Sequence, residues 1–207
     1  MKKYKLTTET LQFAGRTLHR IKAVKDFDSI KAGEFGGWIE NEKNLSQDDN
    51  AWIYGNAMVF DNAEVFDNAK VYGNAEVYGN ANVSDYAKVY GNAEVYGNAN
   101  ISYYAKVYGN AVIKGDAIVH DAVDYIVFKN FWSSGRYFTW TSSNNKWSVG
   151  CFYGTGEELI KKAYADSEKS GREYERVVRY VESILADEKK DEQLKESISL
   201  CFSDNVR

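Results

Sequence analysis

The sequence predicts a mainly β chain whose centre is a parallel β-helix, and three observations carry that prediction. First, alanine recurs at every sixth position from Ala51 to Ala117, twelve times without a slip, and two residues after each stands Val or Ile, from Ile53 to Val119. Alternate residues of a strand share a face, so Ala-x-Val turns both side chains the same way. Second, the pairs Gly73-Asn74, Gly79-Asn80, Gly91-Asn92 and Gly97-Asn98 follow these strands, and Gly, Asn and Asp are residue types that tolerate positive φ at a corner. Third, the block 69–86 (AKVYGNAEVYGNANVSDY) returns almost unchanged as 87–104 (AKVYGNAEVYGNANISYY). Each hexad is a short strand and a corner, and three hexads make one coil of a triangular prism.

The elements follow in order. Residues 1–38 read as an N-terminal β cap, with 4–6 extended, a turn at Ala14-Gly15 and alternation over 17–24. Gly33, Gly36 and Gly37 lead into Trp38-Ile39. Ile39 and Leu45 stand six apart, so a degenerate coil opens the β-helix, which spans 39–122. Trp38 is expected to plug the open end of its core, because terminal repeats of a solenoid must be covered. A C-terminal α+β module, 123–207, comes next. Its β-rich runs 124–129, 136–141 and 146–152, separated by Ser133-Ser134-Gly135 and Ser142-Ser143-Asn144-Asn145, predict an antiparallel meander. Thr155-Gly156-Glu157-Glu158 and Ser170-Gly171-Arg172-Glu173 each have the Ser/Thr-x-x-Glu form that opens a helix. Tyr174, Val177, Val178, Val181, Ile184 and Leu185 have helical spacing, and Leu194, Ile198 and Cys201 predict a third, shorter helix.

Bulk properties narrow the function classes. With 44% apolar and 15% aromatic residues the 207-residue chain has ample material for a core. A net charge of −4 gives no support to general nucleic-acid binding, and the column is more acidic still, with ten Asp/Glu against four Lys between Asp48 and Asp121. No apolar run is long enough to span a membrane, and no N-terminal stretch has a signal peptide's apolar core. Two cysteines, Cys151 and Cys201, without a Cys-x-x-Cys or Cys/His spacing, fit a reducing cytoplasm and give metal binding no support.

The outward positions sort by side of the prism. Between Ala and Val stand Lys70, Lys88 and Lys106 on one side, Glu76 and Glu94 on the second, Asn82 and Asn100 on the third. After Val stand Tyr54, Tyr72, Tyr90 and Tyr108 on one side, Phe60, Tyr78 and Tyr96 on the next, and Phe66, Ser84, Ser102 and His120 on the last. Exposed aromatic stripes mark interfaces. A ring trimer needs two different complementary patches per subunit, so the two aromatic ladders are the expected interface of a homotrimer. The plain alternative is that Tyr and Phe merely suit β-structure.

Hexads of the form [Val/Ile]-x-x-x-Ala-x resemble the hexapeptide repeat of left-handed β-helices, and that resemblance, not the spacing, implies the left hand. The segments Lys25-Asp26-Phe27, Lys31-Ala32-Gly33, Gly36-Gly37-Trp38-Ile39-Glu40, Leu45-Ser46-Gln47 and Trp52-Ile53-Tyr54-Gly55-Asn56-Ala57 resemble the YdcK-like hexapeptide-repeat proteins of bacteria and their phages. Asp124-Tyr125-Ile126-Val127-Phe128 and Gly150-Cys151-Phe152-Tyr153-Gly154-Thr155 are similar to the C-terminal module of short phage and prophage members. The resemblance implies a left-handed β-helix, commonly trimeric, with a transferase label and no catalytic residues to carry over; after Tyr164 the helical tail departs from the usual phage form.

Two chemistries compete. Left-handed β-helices include acyltransferases, which resemble one another in using a histidine near a subunit boundary as general base in acyl transfer from acyl-CoA. The candidate is His120, beside Asp121 on the last hexad, and its plain reading is a polar residue at the end of the column. The zinc carbonic anhydrase on this fold resembles a three-histidine site, which His19 and His120 cannot build, so no metal and no cofactor are expected. For binding, Trp132, Arg136, Tyr137, Trp140, Lys146 and Trp147 of the meander offer rings for base stacking and cations for phosphate. Their plain reading is a small sheet packed by Trp and Phe. The sequence thus favours a non-enzymatic binding protein on a trimeric β-helix scaffold, cytoplasmic, with a nucleotide-like molecule or a host protein as partner. The phage-type resemblance implies an inhibitor of host defence, acting in the host cytoplasm. The alternative is a hexapeptide-repeat acyltransferase.

Overall fold

A computed structural model of the chain describes residues 2–132 and 135–203, and the predicted turn at Ser133-Ser134 lies outside them, as do the side chains of Ile198 and Cys201. Strands β1 (Tyr4–Phe13), β2 (Arg16–Ala23) and β3 (Phe35–Ile39) precede twelve two-residue strands, β4 to β15, which recur every six residues from Trp52–Ile53 to Ile118–Val119. Parallel pairing joins each strand to the one eighteen residues on, as in Val71↔Val89↔Val107. Three stacked sheets result. The first side holds β4, β7, β10 and β13, the second β5, β8, β11 and β14, the third β6, β9, β12 and β15. On the second side β3 adds in parallel to β5, and β2 and β1 continue the sheet antiparallel, making seven strands. With the degenerate coil, in which Ile39 pairs with Val59 and Leu45 bridges to Val65, the solenoid has about five turns.

The hexad translates directly into packing. All twelve alanines and their Val/Ile partners are fully buried, so the interior is a dry aliphatic stack. Corner backbones are left-handed, with φ of 76° at Gly91 and 77° at Gly97. A Cβ on Gly91 would lie 3.0 Å from the backbone N and 3.1 Å from the backbone O of Gly109, so glycine is what lets neighbouring coils approach there. The corner carrying Asp67, Asp85 and Tyr103 relaxes to φ of 54–56° and uses its carboxylates: Asp67 accepts the Asp85 N–H at 3.2 Å, and Asp85 accepts that of Tyr103 at 2.9 Å.

The two ends of the column need opposite chemistry. Each coil donates its N–H groups forward, as in Trp52 N–H to Ala69 O, so the first coil is left with open carbonyls and the last with open N–H groups. Donors meet the carbonyls. The buried Lys3 ammonium reaches Ala51 O at 2.9 Å and Asp48 O at 3.0 Å, Tyr4 Oη donates to Leu45 O at 2.7 Å, and one coil on, beneath the 3-10 turn of the degenerate coil, Asn44 Nδ2 donates to Ala63 O at 2.8 Å. Burial pushes the Lys3 pKa down to about 8. Acceptors meet the N–H groups: Tyr125 Oη for Tyr108, Thr139 Oγ1 for Val112, Ser143 Oγ for Ile118 and Asp124 Oδ2 for His120. The core plug differs from the expectation. Trp38 points outward, paired with Arg20 and Met58, and Tyr4 and Ile21 join the core cluster at that end instead, while Trp52, outward in its own hexad and in register with Lys70, is buried on the first side against Tyr4 and Phe27. Parity explains this: Ile39 is the inward residue of β3, so its neighbour Trp38 must face out.

The meander has four strands, β16 (Tyr125–Lys129), β17 (Tyr137–Thr141), β18 (Lys146–Val149) and β19 (Phe152–Gly154), because Gly150 takes a left-handed φ of 56° and breaks the predicted 146–152 run. Tyr125, which also donates to Lys106 O at 2.9 Å, gives a pH prediction. Burial pushes its pKa up from 10.0 to about 12. Between those values the unfolded chain has released a proton that the folded chain keeps, so stability falls as pH rises. In denaturant titrations from pH 9 to 12 a Tyr125→Phe chain is expected to show a shallower loss of stability than the parent. Equal slopes would contradict the assignment.

The chain divides into two compact units, 1–153 and 154–207, so the meander counts with the column. In the second unit α1 (Gly156–Asp166) opens as predicted, Thr155 Oγ1 accepting the Glu158 N–H at 3.3 Å and Glu158 accepting the Thr155 N–H at 2.8 Å. The helix α2 (Glu168–Ser203) starts earlier than predicted, with Ser167 Oγ, not Ser170, accepting an N–H at its start, and it runs unbroken through the expected third helix. No Gly or Pro interrupts the chain between Leu185 and Leu194, so nothing stops the helix there. Among the described residues no helix is long and apolar enough to cross a membrane.

Candidate functional site

The first side of the prism carries a cationic stripe between two aromatic rails. Lys70, Lys88 and Lys106 are paired in register at the outward position of β7, β10 and β13. On one flank Tyr72, Tyr90 and Tyr108 stack with centroids 4.7 and 5.3 Å apart and planes within 12°. On the other flank Tyr86 and Tyr104 stack at 5.2 Å and 7°, and both rings are more than half exposed. Between the lysines and this second rail runs a groove of about 650 Å³ whose lining includes Asn50, Asn68, Asp28 and Asp121. Asp28 comes from the loop between β2 and β3, anchored by Phe27 edge-on to Trp52 at 5.3 Å. It accepts a 2.7 Å hydrogen bond from Lys70, which holds the Asp28 carboxyl below its usual range and the Lys70 ammonium above its own. Lys88 and Lys106 are exposed and have no ion-pair partner among the described residues.

The other predicted residues are placed differently. Tyr78 and Tyr96 stack at 4.6 Å and Phe60 on Tyr78 at 4.9 Å, so both aromatic ladders exist, although Tyr54 meets Tyr72 edge-on. Phe60, however, is buried beneath Phe13 and the Arg16 guanidinium, which removes it from any interface. In the meander Trp140 and Trp147 face each other across β17 and β18 and are buried, Trp140 Nε1 donating to Asn145 at 3.0 Å; they are core. Trp132 is half-buried and tilted against Phe138. Tyr137 lies under the Lys129 ammonium, Arg136 is exposed and Lys146 half-buried, so the six residues do not gather into one site. His120 is exposed, edge-on to Tyr103 at 4.7 Å, and does not line the groove, although Asp121 beside it does. Among the described residues no three His, Cys, Asp or Glu side chains converge as a metal site requires.

Sequence reading sorted Lys70, Lys88 and Lys106 onto one side but did not join them to Tyr86 and Tyr104. The signal was available: both sets recur at eighteen residues, so they share rungs. Asp28 had no such signal, because it is a loop residue 42 positions from the lysine it binds.

Fold and groove together define a hexapeptide-repeat β-solenoid with an open cationic face. Residues 105–121 match the YdcK β-solenoid repeat. The chain is similar to a protein of Escherichia coli (strain K12) named "Uncharacterized acetyltransferase YdcK", with 39% identity over 62 residues that cover 26% of this chain and 19% of that protein. The matched segment therefore spans about a fifth of that relative's length. Neither similarity bears on a phage origin or on host defence.

Proposed function

We propose that this protein is an acyltransferase of the hexapeptide-repeat type, with the groove on the first side seating an anionic acyl donor such as acyl-CoA. The observation that carries the reading is the pair Lys88 and Lys106, without an ion-pair partner among the described residues, beside the stacked Tyr86 and Tyr104: cations for phosphate and rings for a base on one rigid surface. The name of the bacterial relative supports it. His120, adjoining the groove's Asp121, is the general base that takes the acceptor's proton as the acceptor attacks the thioester carbonyl; the C–S bond then breaks and the leaving thiolate takes that proton from the imidazolium to depart as the free thiol.

Incubating the chain with acetyl-CoA and a panel of amine and hydroxyl acceptors, and measuring free thiol, tests this. Release above background, falling about a hundredfold or more in His120→Ala, is expected. Release unaffected by that substitution removes His120 from the mechanism. A second reading, binding of a nucleotide-like ligand without catalysis, is favoured by one observation: the imidazole contacts a tyrosine edge and lies outside the groove lining. Donor binding with no transfer to any acceptor would select it.

A further inference from the structure

The groove is closed at both ends by carboxylates, and that decides the size of what it accepts. Lys70 is neutralised by Asp28, and Asp121 stands at the far end, so the free positive charge is confined to Lys88 and Lys106, on adjacent rungs. Adjacent rungs are about 4.8 Å apart, which places one ammonium beside each phosphate of a diphosphate. A long polyanion laid along the column would run its further phosphates into Asp28 and Asp121. The aromatic wall matches this length. Tyr86 and Tyr104 form a stack of two rings, and the corresponding positions of the rungs below and above carry Asn68 and Ala122. Among the described residues no further ring is stacked on the end faces of this pair, and a planar base can extend it.

We infer that this groove binds a nucleoside diphosphate group, with Lys88 and Lys106 holding its two phosphates and the Tyr86–Tyr104 stack holding its base, and that it rejects longer polyanions. The inference deepens the acyl-donor reading, since the nucleotide end of coenzyme A is such a group. It does not need the transfer chemistry.

Calorimetric titration of the full chain with ADP, AMP and a thymidine oligonucleotide tests it. ADP is expected to bind one to one, AMP about tenfold or more weakly for lack of the second phosphate, and the oligonucleotide not at all. Lys88→Gln/Lys106→Gln is expected to weaken ADP at least thirtyfold and Tyr104→Ala about tenfold. Lys161→Gln, a charge change in α1, is expected to leave it unaltered. These side chains are exposed, so unchanged thermal unfolding of each variant separates lost binding from lost fold. Equal affinity for ADP and AMP, oligonucleotide binding that Lys88→Gln/Lys106→Gln abolishes, or ADP affinity indifferent to the two lysines would each overturn the inference. ADP binding as described in a chain that transfers no acyl group removes the enzymatic reading alone. Transfer that persists with ADP affinity indifferent to Lys88 and Lys106 removes this one alone.

Discussion

Asn44→Ala is expected to lower folding stability by about 2–4 kcal/mol, read from the denaturant midpoint, because it strips three hydrogen bonds from a fully buried site. Asn44 Nδ2 donates to Asp61 O at 3.0 Å and Ala63 O at 2.8 Å, and its Oδ1 accepts the Asn41 N–H at 2.9 Å. Those carbonyls face the degenerate coil at its 3-10 turn, Glu42–Asn44, where the Asn44 side chain takes the place of the backbone N–H groups that a regular coil supplies. Once uncovered, they pay the full desolvation penalty unless water enters. Asn44→Asp is the sharper control: it keeps the acceptor for Asn41 but presents a carboxylate oxygen to two carbonyl oxygens, so it is expected to be at least as damaging. An Asn44→Ala midpoint within error of the parent's would mean that solvent already serves this edge.

Ala93→Leu is expected to cost about 3 kcal/mol or to prevent folding outright, through overpacking rather than lost contact. Ala93 stands midway along the column, fully buried, with Ala75 and Ala111 one coil below and above. Coil spacing is set by hydrogen bonds such as Glu76 N–H to Ala93 O at 3.0 Å and Glu94 N–H to Ala111 O at 2.9 Å, so extra carbon atoms cannot be absorbed by moving one coil alone. Glu94→Gln, one residue along and outward, is expected to change stability by no more than about 0.5 kcal/mol. Burial and the neighbouring Glu94 raise the Glu76 carboxyl's pKa, so relieving one charge of that pair does not harm the fold. Near-equal effects of the two substitutions in thermal unfolding would contradict the inward–outward assignment of the hexad.

The sequence alone determined the column: three sides, a coil of eighteen residues, the buried alanine and valine stacks, the glycine corners, the two aromatic ladders and the degenerate first coil at Ile39 and Leu45. These properties are strictly local and repeated, and a strand's two faces alternate by simple parity, so spacing suffices to read them. Only the tertiary structure decided what happens where the repeat stops. Which side chains cap the open carbonyls and N–H groups, that Tyr4 and not Trp38 covers the end, that Phe60 is covered by Phe13, and that Asp28 closes a groove against Lys70 all depend on contacts outside the repeat, from 4 positions apart for His120 with Asp124 to 48 for Lys3 with Ala51. Such contacts are set by how the N-terminal hairpin and the meander fold back on the column, and no period in the chain records them. The meander's tryptophans show the same limit: a Trp that stacks on a ligand and a Trp that packs a small sheet look alike in sequence, and only the pairing of Trp140 with Trp147 across two strands assigned them to the core.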